Sequence, residues 1–152
     1  MRIREMRAGD GEDVARIQLE MSWMVWLQGR DAASLGAELE GRISAMAERA
    51  TDTALVAEID GLAVGYAVAH WQRPLALPAP EGYLGELFVL EEFRGRGAGS
   101  ALLERVVELA RERGCFRVRL INGKESEAYL RGFYLRCGFA EREHIRDFCL
   151  ML

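Results

Sequence analysis

One junction restricts this chain's fold more than any other. An apolar run, Tyr83 to Leu90, passes through Arg94-Gly95-Arg96-Gly97-Ala98-Gly99 straight into a leucine-rich helical pattern. A strand that hands over to a helix through glycines belongs to an α/β chain rather than to a bundle or an all-β sandwich. The predicted helix carries Leu102, Leu103, Val106, Leu109 and Ala110 on one side and Arg105, Glu108 and Glu112 on the other. Its first N–H groups lack intrahelical partners and point outward, and the helix dipole adds partial positive charge there. Glycine lets an anion approach the backbone, and Arg94 and Arg96 add full charges, so a ligand with a pyrophosphate fits. The same glycines would equally serve a plain tight connection. No Lys-Ser/Thr follows the last glycine, so the turn is not a P-loop. Its spacing, after a mid-chain strand that follows a hairpin, does not match a dinucleotide-binding fingerprint either.

The flanking pattern supplies the other elements. Residues 2–7 read as a short strand, and Asp10, with Asp13 three residues on, reads as the N-cap of a helix through Val14, Ile17 and Met21 to about Trp26. Gly29 ends that helix, and Asp31 caps a second one with the stripe Leu35, Leu39, Ile43 and Met46. Residues 54–59 form a strand, Asp60-Gly61 is a hairpin turn, and Leu62 to Trp71 returns antiparallel. Pro74, Pro78 and Pro80 make residues 73–82 a loop. Beyond Gly114 a strand is predicted over 115–121, then a helix over 127–137 with Leu130, Phe133, Tyr134 and Cys137 on one stripe and Gly138 as its C-terminal stop. The tail from Phe139 is predicted to add one or two strands. The fold class is α/β: a mixed, mostly antiparallel sheet with helices on both faces.

At 152 residues without a linker, the chain reads as one domain, 1–152. A net charge of −4 argues against nucleic acid, whose binders present a basic face. Cys115, Cys137 and Cys149 are odd in number and widely spaced, which reads as free thiols in a reducing compartment. His70 and His144 lack ligand-like spacing, so no metal site is expected. The N-terminus has no apolar leader and no run is long enough to span a membrane, so the expected location is the cytoplasm, with no membrane partner.

The segment from Glu86 to Leu103 resembles motif A of the GNAT superfamily of N-acetyltransferases: an apolar strand, then Arg/Gln-x-x-Gly-x-Gly/Ala, then a leucine-rich helix. Arg94, Gly97 and Gly99 fill its defining places. Gly132-Phe133-Tyr134-Leu135-Arg136-Cys137-Gly138-Phe139 resembles motif B, with its Phe-Tyr-x-x-x-Gly-Phe signature. The two follow in the family's order, and the whole element order agrees. The resemblance implies acetyl-CoA as cosubstrate, with its pyrophosphate on the backbone of Gly95, Arg96, Gly97, Ala98 and Gly99, helped by Arg94 and the Ser100 hydroxyl. It implies that the pantetheine arm pairs like an added strand with Leu87, Phe88 and Val89. Tyr134 takes the place of the general acid that protonates the departing thiolate. Glu86 lies near positions where relatives carry acidic or histidine residues, which makes it the candidate to contact or deprotonate the amine, directly or through water. Strand alternation sets it opposite Leu87 and Val89 unless a bulge changes the parity. Glu127 stands where many relatives have asparagine or arginine, and Asn122 is the candidate to serve the cofactor instead.

For the acceptor, the resemblance favours a small-molecule primary amine and direct transfer in a ternary complex. Trp23, Met24, Trp26 and Trp71 are candidates for an apolar or cation–π wall, though core positions are the plainer reading. Glu20, Asp31 and Glu38 are candidates to attract a cation. A homodimer is compatible with this reading. Two alternatives stay open: an enzyme acting on protein or peptide amines, and a non-catalytic module that binds acyl-CoA.

Overall fold

The computed structural model describes residues 1–151, in two compact units that meet in sequence at Leu120 and Ile121. The first unit holds a five-stranded sheet in the order β1 (Arg2–Glu5), β2 (Asp52–Ile59), β3 (Leu62–Gln72), β4 (Glu81–Val89) and β5 (Arg117–Leu120). The first four strands pair antiparallel, and β4 pairs with β5 in parallel. The predicted mixed, mostly antiparallel sheet is therefore what forms. At the β2–β3 hairpin Asp60 and Gly61 both take positive φ, 50° and 84°, as a turn matched to strand twist requires.

Helices α1 (Gly11–Leu19), α2 (Ala32–Ala47) and α3 (Ala98–Glu112) cover both faces of the sheet. Gln18 of α1 reaches Tyr66 on one face of β3. Arg113, at the end of α3, lies over Trp71 on the other. Leu102, Leu103 and Val106 of α3 are almost fully buried, each stabilising the fold by about 1.5–3 kcal/mol. Helices α1 and α2 pack backbone against backbone: a Cβ on Gly11 would lie 2.5 Å from Gly36 O, so no larger residue fits that crossing. Asp31 caps α2 by accepting from Ser34 N at 2.8 Å, as predicted.

The first helix differs from its prediction. It ends at Leu19, and a separate 3-10 turn covers Val25–Leu27. Asp10 precedes α1 but makes no side-chain cap bond to that helix. Its carboxylate instead binds Arg4 at 2.7 Å and accepts from Arg7 N. Asp13 is likewise diverted, accepting from Ala63 N at 2.7 Å and so tying α1 to β3.

The second unit contains α4 (Glu127–Leu130) and α5 (Phe133–Arg136) in place of one continuous helix. The break falls at Arg131–Gly132, where Gly132 turns left-handed at φ 61°. Gly138 (φ 85°) does stop α5, with Phe139 N donating to Tyr134 O at 3.0 Å. The predicted terminal strands do not form among the described residues. Phe148, Leu150 and Met151 stay exposed, and the sheet order ends at β5. An apolar pattern without a hydrogen-bonding neighbour does not make a strand.

Candidate active site

The character of β4 changes midway. Residues Glu81–Leu84 are paired on both sides, with β3 and with β5. At Gly85 the ladder skips one residue: Leu84 pairs with Ala69 and Glu86 with Val68. From that bulge to Val89 the strand pairs, among the described residues, with β3 alone, because the pairing with β5 ends at Leu84. Leu90 N donates to Val64 O, which in an antiparallel ladder turns the main-chain groups of residues 86 and 88 toward β3. Those of Leu87 and Val89 therefore project to the opposite edge, and Val89 O accepts there from Arg94 Nε at 3.1 Å.

Beyond a 3-10 turn over Glu91–Phe93 the chain reaches the glycine turn. Gly95 and Gly97 hold φ of 74° and 89°, and Gly97 is the left-handed N-cap of α3. A Cβ at either position would meet nothing within 4 Å, so the turn faces open space. The N–H groups of Ala98, Gly99 and Ser100 open the helix and lack intrahelical partners. Arg96 lies over the Phe93 ring at 5.4 Å. A loop of left-handed glycines, free helix-opening donors and flanking arginines suits a diphosphate, so the residues present fit the ligand that the motif implies.

The bulge also settles which face Glu86 occupies. Glu86 shares a face with Phe88, Tyr83, Tyr66 and His70, opposite Leu87 and Val89. Its carboxylate accepts from the Tyr66 hydroxyl at 2.6 Å, and Gln18 donates to that same hydroxyl at 3.1 Å. Burial pushes the Tyr66 phenol well above its ordinary range, and the Glu86 carboxylate adds to the shift, so Tyr66 stays a donor. Phe88 touches Tyr66 (5.5 Å between ring centroids) and Trp23 (6.0 Å), and Trp23 meets Trp26 edge-on at 5.7 Å. Trp23 and Trp26 remain more than half exposed, forming an aromatic wall on the Glu86 face.

Other expected members of that wall lie elsewhere. Met24 is buried. Trp71 is buried on the opposite face of β3, its indole N–H donating to Thr53 Oγ1 at 2.9 Å. The proposed cation-attracting carboxylates are engaged as well. Asp31 caps α2, Glu38 pairs with Arg30, and Glu20 accepts from Glu91 N at 3.0 Å. Sequence reasoning passed over His70, whose Nδ1 lies 2.9 Å from Asp52 Oδ1. Plain counting outward from the Asp60-Gly61 turn would set Asp52 opposite Ala69; a register shift between Ala57 and Glu58 brings His70 there instead, and nothing local in the sequence marks it.

In the second unit, Tyr134 opens the first turn of α5, edge-on to Phe133 and Phe139. Burial pushes its phenol pKa up and the nearby Cys137 adds to this, so the hydroxyl stays protonated. Asn122 Oδ1 accepts from Ser126 Oγ at 2.8 Å, while its buried Nδ2 has no partner among the described residues. An unsatisfied buried donor favours a ligand that would accept from it. Glu127 pairs with Arg131 at 3.4 Å. Among the described residues no cluster of His, Cys, Asp or Glu could hold a metal ion, and no helix is long and apolar enough to cross a membrane.

Comparison with known proteins agrees with this geometry. Residues 17–139 match the acetyltransferase (GNAT) family model, and the chain belongs to that family. It is 33% identical over 106 residues to an uncharacterized N-acetyltransferase of Methanocaldococcus jannaschii, covering 69% of this chain and 46% of that relative. The chain thus spans less than half the length of that relative. It is 29% identical over 127 residues to the thialysine N-epsilon-acetyltransferase of Mus musculus, covering 78% of this chain and 72% of the relative. Among solved structures, a transcriptional regulator from Bacillus halodurans C-125 superposes with a TM-score of 0.86 at 22% identity, over 99% of both chains. At that identity the likeness concerns the fold.

Proposed function

We propose that residues 1–152 act as one acetyltransferase domain that transfers an acetyl group from acetyl-CoA to a small primary amine. The observation that carries this reading is the half-open β4, whose free edge runs directly into the glycine turn that opens α3. When bound, acetyl-CoA supplies an acetyl thioester. Backbone N–H groups from Gly95 to Ser100, with Arg94 and Arg96, hold the diphosphate. The outward main-chain groups of Leu87 and Val89 receive the pantetheine arm as an added strand. By the family resemblance Asn122, whose buried Nδ2 has no partner among the described residues, is a further candidate to bind the cofactor.

Glu86 holds the acceptor's ammonium beside the Trp23–Trp26–Phe88 wall, which suits an amine on a short apolar stem. Loss of a proton frees the nitrogen to form the new C–N bond to the acetyl carbon. The C–S bond breaks, and Tyr134 gives its proton to the departing thiolate. The chemistry of the thialysine-acetylating relative, a primary amine on a flexible side chain, supports this substrate class. Cys115 is a poor alternative nucleophile, since burial pushes its thiol pKa up.

The test is calorimetry with acetyl-CoA, followed by thiol release across a panel of thialysine, lysine, polyamines, an amino sugar phosphate and peptides. Saturable binding with turnover of a small amine is expected. Tyr134→Phe should then lower kcat by about 100-fold while leaving acetyl-CoA affinity near wild type. Turnover of peptides alone would move the acceptor to proteins. Binding without thiol release for any amine would leave a non-catalytic acyl-CoA module.

A further inference from the structure

Asp52 and His70 face each other across β2 and β3 on the same side of the sheet as Glu86. The Asp52 side chain is 9% exposed and that of His70 is 37% exposed. A carboxylate on Nδ1 fixes the neutral imidazole as the tautomer with its proton on Nδ1. That leaves the Nε2 lone pair free as a base. The Nε2 edge lies over the β4 bulge: a Cβ on Gly85 would sit 3.2 Å from both Nε2 and Cδ2. Glycine at the skipped position is what lets the ring rest there. The imidazole therefore covers the point where β4 parts from β5 and its open half begins.

Strand register sets Glu86 opposite Val68, diagonal to Tyr66 on one side and to His70 on the other. The Gly85 skip falls between the Glu86–Val68 and Tyr83–His70 pairs, so Glu86 and His70 share one face on either side of the bulge. Tyr66 already donates to the Glu86 carboxylate. Carboxylates as a class are weak bases toward an ammonium, whereas imidazole is the side chain best matched to proton transfer near neutral pH.

We propose that His70, held by Asp52, is a catalytic base of this site and takes the proton from an ammonium that Glu86 holds. This rests on the acetyl-transfer reading above. One N–H bond of the acceptor breaks, and the proton moves to Nε2. The resulting imidazolium is stabilised by Asp52 and returns the proton to water, while the freed amine forms the C–N bond. The charged and titratable groups around the ring are Asp52 from β2 with Arg49 3.7 Å from its other oxygen, Tyr83 stacked at 6.3 Å from β4, Arg119 over the far side of Tyr83, and Glu86.

The experiment compares kcat/KM against pH for wild type, His70→Gln and Asp52→Asn, using the panel amine with the fastest turnover, and measures acetyl-CoA affinity for each by calorimetry. Wild type should gain activity as pH rises through the range where imidazoles titrate, about pH 5–8. His70→Gln should lose that limb and about 100-fold in kcat/KM near neutrality, with acetyl-CoA affinity unchanged. Asp52→Asn should also lower kcat/KM near neutrality, since the ring then loses the carboxylate that holds its Nδ1, with acetyl-CoA affinity unchanged. A His70→Gln enzyme that keeps the limb and its rate overturns the proposal. Should that variant unfold, an Asp52→Asn enzyme with undiminished kcat/KM does the same. If wild type binds acetyl-CoA yet acetylates nothing, the transfer reading fails and the proposal with it. Failure of the proposal alone shows as an active wild type whose profile ignores both substitutions.

Discussion

The two halves of β4 are built from similar residues and held in opposite ways. In Glu81–Leu84 both edges are paired, and the Glu81 carboxylate, 4% exposed, binds Arg117 and Arg119 of β5. In Glu86–Val89 one edge is paired and the other has no strand beside it among the described residues, although Val89 O accepts there from Arg94 Nε. A single extra residue, Gly85, separates the two states. Before it, polar groups answer one another inside the protein. After it, Glu86, Val89 and the glycine turn present groups that a ligand can complete. The contrast predicts that substitutions at the outward edge of the open half and at its turn change ligand binding more than they change the fold, and that substitutions in the clamped half do the reverse.

The largest effect should come from Gly97→Val. A β-branched residue at φ 89° costs about 1–3 kcal/mol of backbone strain, and its side chain fills the space in front of the first α3 donors. Acetyl-CoA affinity should fall by more than about 100-fold in calorimetry, equivalent to about 2.7 kcal/mol. Since nothing beyond the adjoining residues lies within 4 Å of the new Cβ, the fold should survive with circular dichroism near wild type. A variant that unfolds would break the division between the halves.

Next in size is a pair of prolines one residue apart. Leu87→Pro removes a donor from the open edge, where proline is tolerated because no ladder bond is lost. Acetyl-CoA affinity should drop about tenfold, the worth of one hydrogen bond at about 1–1.5 kcal/mol. Phe88→Pro removes a donor turned toward β3 and should instead lower Tm sharply. Equal behaviour of the two would show that the assignment of inward and outward edges is wrong.

Elements whose cause is local could be read from sequence. The Asp60-Gly61 hairpin, the Asp31 cap and the buried stripe of α3 each follow from a few adjacent residues, and all form as expected. What could not be read depends on partners distant in sequence. Asp10 reads as a cap until Arg4 claims its carboxylate. Trp71 resembles Trp23 in sequence, but strand parity buries it on the other face. The helix predicted over 127–137 has an unbroken stripe, yet Leu130 stays exposed and Gly132 divides it. The Gly85 bulge leaves no local mark beyond a glycine in a strand, although it decides which face Glu86 takes and where His70 can rest.

The smallest effect tests the clamped half. Desolvation pushes the Glu81 pKa up, but hydrogen bonds from Arg119 and Arg117 outweigh it and hold the carboxyl below its ordinary value. A depressed folded pKa means that stability is present above the unfolded pKa and is lost as pH falls through the folded one. Glu81→Ala should therefore cost about 1–2 kcal/mol near neutrality, because both arginines are more than one-third exposed and can turn to water. For a chain of this size that lowers Tm by roughly 2–8 °C. The gap between wild type and variant should narrow in acid, as wild-type Glu81 protonates and its ion pairs lapse. Acetyl-CoA affinity at neutral pH should stay within about twofold of wild type, since the paired half of β4 has no free edge to offer. A loss of affinity as large as that of Leu87→Pro would mean that the bulge does not insulate the two halves, and that strain in one is felt in the other.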